Sequence, residues 1–334
     1  LVLRNHLTNW SFAMIRRLLS ICCLAMVALI SMPVTSFANP AWPTSPIHIV
    51  VPFPPGGSND VIARRLADRL SKAFGQTVVI ENKGGGAGTI GSQAVAISKP
   101  DGYTFLFISS SLATSAAVQK TPYDPPKAFM GVAQVARSPF VVLTSKDFPA
   151  KDIKGLIAYA KANPSKINFG SAGLGDSTQM ATELFNETFD IKMTAVPYKG
   201  ISPAQIDLVA GRLDMIITTI ASIKGNAADS LPKLAFTGAK REPDFPNVPT
   251  VMEATGTPFE VDVWWGLFAP AGTPPAILQK MNVEVNKIVN DKEFAGFLSN
   301  VGASPAAGTP ESLQQLLVKD LERWRAIAKR AGVQ

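Results

Sequence analysis

Ile47-His48-Ile49-Val50-Val51-Pro52-Phe53-Pro54-Pro55-Gly56-Gly57-Ser58-Asn59-Asp60, followed by a run from Val61 to Phe74, decides how this chain folds. The β-branched residues from Ile47 to Phe53 predict a strand, and the two glycines a turn. From Val61 onward Ile62, Leu66, Leu70 and Phe74 recur every four positions and make one apolar helical stripe, while Arg64, Arg65, Asp68 and Lys72 face elsewhere. Strand, glycine turn and helix in that order form half of a βα unit, the building block of α/β sheets.

The grammar repeats downstream. Thr77 to Glu81 reads as a second strand, Thr89 to Ser98 as a helix and Tyr103 to Ile108 as a third strand. Further strands are expected at Phe140 to Thr144, Ile167 to Gly170, Thr194 to Pro197, Asp214 to Thr219 and Leu234 to Thr237, with helices between most of them. Thr273-Pro274 and Thr309-Pro310 each place a capping hydroxyl before a proline suited to a first helical turn. The last helix draws on Leu313, Leu316, Leu317, Leu321 and Trp324.

The start of the chain has a different character. Arg16 and Arg17 precede an apolar run from Leu18 to Ile30, and Ser36-Phe37-Ala38 supplies a small-x-small cleavage site, so residues 1–38 read as a secretory signal peptide cut near Ala38. Its apolar run is too short to span a membrane. Met14 stands just before the arginines, which marks residues 1–13 as upstream of the natural start. Export places the mature protein in the periplasm. Losing Arg4, Arg16 and Arg17 lowers the net charge from +7 to +4. Cys22 and Cys23 leave with the signal, which excludes disulfides, thiol catalysis and zinc-thiolate sites from the mature chain.

The 334 residues, 46% hydrophobic and 17% charged, suffice for two packed domains. Four small-residue loops lie between a strand's carboxyl end and a helix's amino end. They are Pro52 to Asp60, Asn82 to Thr89, Gly170 to Thr178 and Pro197 to Ala204. At such a point the first N–H groups of the helix lack internal partners and, with the helix dipole, attract an anion. Any one loop is explained by a tight turn; four at four strand ends point to a bound anion or carboxylate. Two loops fall early and two in the middle of the chain, which predicts a cleft between domains that closes about a hinge.

Catalysis is disfavoured. No Gly-x-Ser-x-Gly elbow is completed, and the mature chain has one histidine, His48, at the start of the first strand, where a rim or structural role is expected. No Asp-x-Asp-x-Asp-Gly loop, His-Glu-x-x-His helix or P-loop ending is present, so neither a metal nor a cofactor is expected. No basic cluster interleaved with aromatics supports nucleic-acid binding. A hydrolase with a Gly-rich active site is the rival class, and turnover of a bound acid separates it from a receptor.

The first loop, the Asn82 to Gly91 stretch, Ser171-Ala172-Gly173-Leu174-Gly175, Val196-Pro197-Tyr198-Lys199-Gly200 and Trp265-Gly266-Leu267-Phe268-Ala269-Pro270-Ala271-Gly272-Thr273-Pro274 resemble the Bug-type tripartite tricarboxylate transporter receptors. Tyr123-Asp124-Pro125 and Val248-Pro249-Thr250 with Glu253 fit the same pattern, and the similarity runs from about Pro43 to the carboxyl terminus. The resemblance implies a two-domain, type II periplasmic-binding-protein-like α/β fold with mainly parallel sheets, a hinge and an interdomain cleft. Domain I would take residues 43–142 plus 262–334, and domain II residues 143–261. It also implies capture of a small carboxylate (dicarboxylate, tricarboxylate, amino acid or aromatic acid) by main-chain donors and water without a charged clamp. Delivery would be to a membrane transporter or, alternatively, a signalling sensor. The protein itself is expected to be monomeric.

Carried over by position, Phe53, Gly57, Ser58, Asn59 and Asp60 hold one carboxylate with help from Gly88 and Thr89, and Ser171, Gly173, Gly175, Asp176, Ser177, Tyr198 and Lys199 face it from the other domain. Ser109 to Ser111 is a weaker candidate. Where many members have Gly-Ser-x-x-His-Leu, this chain has Gly175-Asp176-Ser177-Thr178-Gln179-Met180. A helix N-cap is the plainer role for Asp176; the sharper one is contact with a cationic or hydrogen-bond-donating part of the ligand, because a bare carboxylate would be repelled there. Lys199 is either solvated or a positive charge for the cleft. Trp264 and Trp265 are expected to pack at the domain junction.

Overall fold

The computed structural model describes residues 42–333; the expected signal peptide lies outside them. Strand β1 (Ile47–Val51) leads into helix α1 (Ser58–Phe74), with Ile62, Leu66 and Leu70 fully buried as the fourfold spacing requires. Burying each such side chain is worth about 1.5–3 kcal/mol relative to exposure. Strand β2 (Val78–Asn82), helix α2 (Thr89–Ala96) and strand β3 (Thr104–Ser109) follow, each within about two residues of expectation. Gly91 lets α2 lie against the preceding loop, since a Cβ there would sit 2.6 Å from the Lys83 carbonyl oxygen and 2.7 Å from Pro52.

Beyond β3 come helix α3 (Ser111–Val118) and the 11-residue strand β4 (Phe129–Pro139). Then follow β5 (Val141–Thr144), α4 (Ile153–Ala162), β6 (Asn168–Ser171), α5 (Ser177–Phe189), β7 (Thr194–Pro197), α6 (Ile201–Val209), β8 (Met215–Thr218) and β9 (Lys233–Phe236). The chain ends with β10 (Asp262–Pro270), α7 (Pro275–Val289), α8 (Lys292–Asn300), β11 (Ser304–Pro305) and α9 (Pro310–Ala331). Thr309 caps α9 through Ser312 N–H, as its position before Pro310 predicts. Thr273 does not cap α7. Its hydroxyl donates to the Pro270 carbonyl at 2.8 Å, and the helix begins after Pro274, which has no N–H to offer.

Two sheets result, a six-stranded one in the order β11-β4-β10-β3-β1-β2 and a five-stranded one in the order β7-β6-β8-β5-β9. They are mixed, not mainly parallel as expected. The early βα units give parallel pairs, Ile47 opposite Val78 and His48 opposite Thr104. The long strand β10 inserts antiparallel between β3 and β4, and β5 runs antiparallel to β8 and β9. Antiparallel members are unavoidable where the chain leaves one sheet for the other and returns.

The two crossings lie side by side. Phe140, between β4 and β5, exchanges backbone bonds with Thr237: its N–H reaches Thr237 Oγ1 at 2.8 Å, and its carbonyl accepts Thr237 N–H at 3.0 Å. Thr237 Oγ1 also donates to the Val261 carbonyl at 2.6 Å, just before β10. One buried threonine thus joins both passages. Trp265 is wholly buried beside them on β10, and Trp264 Nε1 donates to Asp320 on α9 at 2.6 Å.

Candidate functional site

A narrow cavity of about 30 Å³ lies between the carboxyl ends of the two sheets. It sits at the place where α/β sheets bind ligands. Of the expected residues, Phe53, Gly57, Ser58, Asn59, Ser109, Asp176 and Ser177 line it. The same loops also supply Pro54, Ala172, Thr178, Ile201 and Ser202, whereas Phe140 and Val263 at the crossings and Thr218, Thr219 and Ser222 at the end of β8 lie outside them.

The first wall is an open helix terminus. Gly57 is the N-cap of α1 with no side chain to cap it. Ser58 N–H reaches Ser222 Oγ at 3.3 Å, and Val61 N–H bonds Gly57 O. The N–H groups of Asn59 and Asp60 take no acceptor among the described residues. They belong to a 17-residue helix, whose dipole places about half a positive charge at this end. Asp60 itself is turned away from the cavity. Its carboxylate accepts from Gly56 N–H at 3.1 Å, Arg64 Nε at 3.0 Å and Asn82 Nδ2 at 2.9 Å. Burial pushes its pKa up, but these hydrogen bonds outweigh burial and hold it below the usual carboxylate range.

The facing wall differs. Asp176 is the N-cap of α5, and its Oδ1 accepts from Ala172 N–H, Thr178 N–H and Gln179 N–H at 3.0–3.2 Å and from Thr178 Oγ1 at 2.5 Å. Gly175 N–H goes to Gln179 Oε1 at 2.6 Å and Ser177 N–H to Ser111 Oγ at 3.3 Å. The expectation that this loop offers free amides is therefore corrected: the capping carboxylate answers the need that a guest anion would have met. Burial pushes Asp176 above the ordinary carboxylate range against the pull of those donors. Among the described residues it is the one ionisable side chain lining the cavity. Hydroxyls do the remaining work: Ser109 Oγ donates to Ser111 Oγ at 3.0 Å, and Thr219 and Ser222 hydroxyls share a bond of 2.9 Å. Thr218 Oγ1 and Asn59 Oδ1 are buried with no partner among the described residues.

Several expected residues serve the wall from behind. Gly88 sits beneath the Phe53 ring, where a Cβ would approach it to 3.2 Å, and Thr89 opens α2 next to it. Ser171 is buried, and its carbonyl accepts Tyr198 N–H. Gly173 and Gly175, both at positive φ, press against Ala87 and Val118 of the opposite side, with a Cβ on Gly175 only 2.7 Å from Val118. Gly200 meets Pro54 in the same way at 2.7 Å. At these glycines the elements on either side of the cavity touch. Tyr198 and Lys199 do not line the cavity. The Tyr198 hydroxyl donates to Asp207 at 2.6 Å, which with burial pushes its pKa up to about 12, burial being the larger cause. Lys199 is exposed to solvent. His48, near the amino end of β1, pairs with Glu81 on β2 at 2.5 Å, and neither lines the cavity.

A cavity between two α/β sheets is the arrangement the resemblance implied, and the sequence profile of the tripartite tricarboxylate transporter family receptors matches residues 62–333. The chain belongs to that family. Its fold is similar to that of R. palustris Rpa4515 with adipate, at 35% identity and a TM-score of 0.83, with 87% of this chain and 98% of that one covered. The periplasmic binding protein BugD is similar at 33% identity, TM-score 0.82, covering 88% and 99%. MatC from Rhodopseudomonas palustris with bound malate matches at 31% identity, TM-score 0.80, covering 86% and 99%. These Bug-type receptors share the two-domain architecture, and the family is one of binding proteins, not of enzymes.

Proposed function

We propose that this chain is an extracytoplasmic receptor that captures a small carboxylate in the cleft and hands it to a membrane transporter. One observation carries the reading: Asn59, at the positive end of α1, lines the cavity, and its amide and the neighbouring Asp60 amide take no acceptor among the described residues. The adipate and malate of the similar receptors agree in chemistry with an anion held there. The hydroxyls of Ser177, Thr218 and Thr219 complete the donor set, in place of a lysine or arginine clamp. Residues 43–140 with 262–334 form one domain and 141–261 the other, the edge expected at 142 shifting to keep β5 whole in the five-stranded sheet. Closure turns about Phe140, Thr237 and Val261, and the glycine contacts at Gly173, Gly175 and Gly200 form only in the closed state. The mature protein is exported after cleavage near Ala38 and works as a monomer, with the transporter of the family's name as its membrane partner.

Isothermal titration with three- to six-carbon carboxylates, paired with solution scattering, tests this. One-to-one binding with a smaller radius of gyration is expected. Absence of binding across the series, or turnover of the bound acid, overturns it.

A further inference from the structure

Asp176 lines the cavity at 2% exposure, and its two oxygens are in unlike states. Oδ1 takes three amides and a hydroxyl. Oδ2 has one long bond, from Ser111 Oγ at 3.3 Å, and that hydroxyl is also within 3.2 Å of Ser177 Oγ. None of these partners carries a positive charge. A buried carboxylate stands without a cation only where donors satisfy it, and a second carboxylate brought into the same small space is repelled. The cavity therefore has an asymmetric polarity, with amide donors at α1 and an electron-rich side at Asp176.

We propose that the solute is a carboxylate that also bears an ammonium or amide N–H, and that this group binds Asp176 Oδ2 while the carboxylate takes the α1 amides. Asp176 is then a specificity-determining residue of the receptor site, and the assignment rests on the carboxylate-receptor reading above. Serine caps the helix equally well, so capping alone does not call for the charge.

The test is isothermal titration of the mature protein at pH 7 with matched sets of equal chain length: succinate against aspartate, asparagine and 4-aminobutyrate, and adipate against 6-aminohexanoate. The wild type should bind the best N–H-bearing member at least tenfold more tightly than its diacid. Asp176→Ser and Asp176→Asn, both able to cap α5, should abolish that preference and strengthen diacid binding. A wild type that prefers the diacid in each set, or variants that keep the wild-type ranking, overturns the assignment and leaves the carboxylate reading standing. Failure of the wild type to bind any member overturns both. Should the variants fail to fold, the wild-type ranking alone decides.

Discussion

Two helices point their amino ends at one cavity, and they treat it in opposite ways. At α1 the cap is Gly57, the nearby acid Asp60 is drawn back by Arg64 and Asn82, and the Asn59 and Asp60 amides stay open. At α5 the cap is Asp176, and its carboxylate occupies the amides around it. Both loops have the same glycine-serine appearance in sequence. The difference teaches that a helix terminus is available to an anion only when the capping position is empty, and that moving one carboxylate by three positions, from the cap to the first turn, decides between a guest site and a closed one.

The comparison breaks most severely if the first terminus is made like the second. Gly57 has φ −81° and ψ 168°, a backbone open to any residue, and a Cβ there meets Ile201 at an ordinary 3.4 Å. Gly57→Asp should fold with little change in melting temperature yet lower carboxylate affinity about 100-fold, by occupying the amides and repelling the anion. Unchanged affinity in a titration would show that the amides do not hold the solute. Next in size is Gly200→Val. It sets a side chain against Pro54 at a φ of +120°, and should weaken binding about tenfold through the closed state, with scattering showing less compaction on ligand addition.

Thr237→Val removes the hydroxyl that joins the crossings and leaves Phe140 N–H unanswered. It should cost about 1–3 kcal/mol in denaturant unfolding, more than a surface threonine would. The smallest effect separates the two acids by pH. Asp60 has a lowered pKa, so its stabilising contribution is full above the ordinary carboxylate value and disappears as pH falls through the lowered one. Asp176 has a raised pKa, so the folded state loses stability as pH rises from the ordinary value through the raised one. Asp60→Asn should therefore lower stability at pH 7 by about 1–2 kcal/mol, a deficit that shrinks in acid. Asp176→Asn should leave pH 7 stability within about 1 kcal/mol of wild type or above it. Thermal melts from pH 3 to 7 would show the two profiles diverge.

Much of this was legible from residues. The fourfold stripe fixed α1, and β-branched runs placed the parallel strands because each βα unit is local. The antiparallel strand β4 was not, since Val132, Ala133, Val135 and Ala136 are all buried and give no alternation. β10 carried a motif, but its partners come from far along the chain, with two register irregularities in its pairing to β4. In the site, glycines pointed to the right sheet edge and to most of the lining. They missed Thr218, Thr219 and Ser222, which end a strand without any glycine; three hydroxyls within five residues after an apolar run were the available signal. Tyr198 and Lys199 shared the loop but not the cavity, because Asp207, one helix away, takes the phenol. The plainer role for Asp176, the cap, is met, and the same side chain also borders the cavity.

The central claim is that the α1 terminus holds the solute's carboxylate. Amide-resolved NMR of the ¹⁵N-labelled mature protein, titrated with a carboxylate it binds, tests it most directly. The Asn59 and Asp60 N–H signals should move downfield together and saturate at one equivalent, while those of Thr178 and Gln179, already bonded to Asp176, shift much less. If Asn59 and Asp60 stay in place as the ligand saturates, the carboxylate sits elsewhere and the account is wrong.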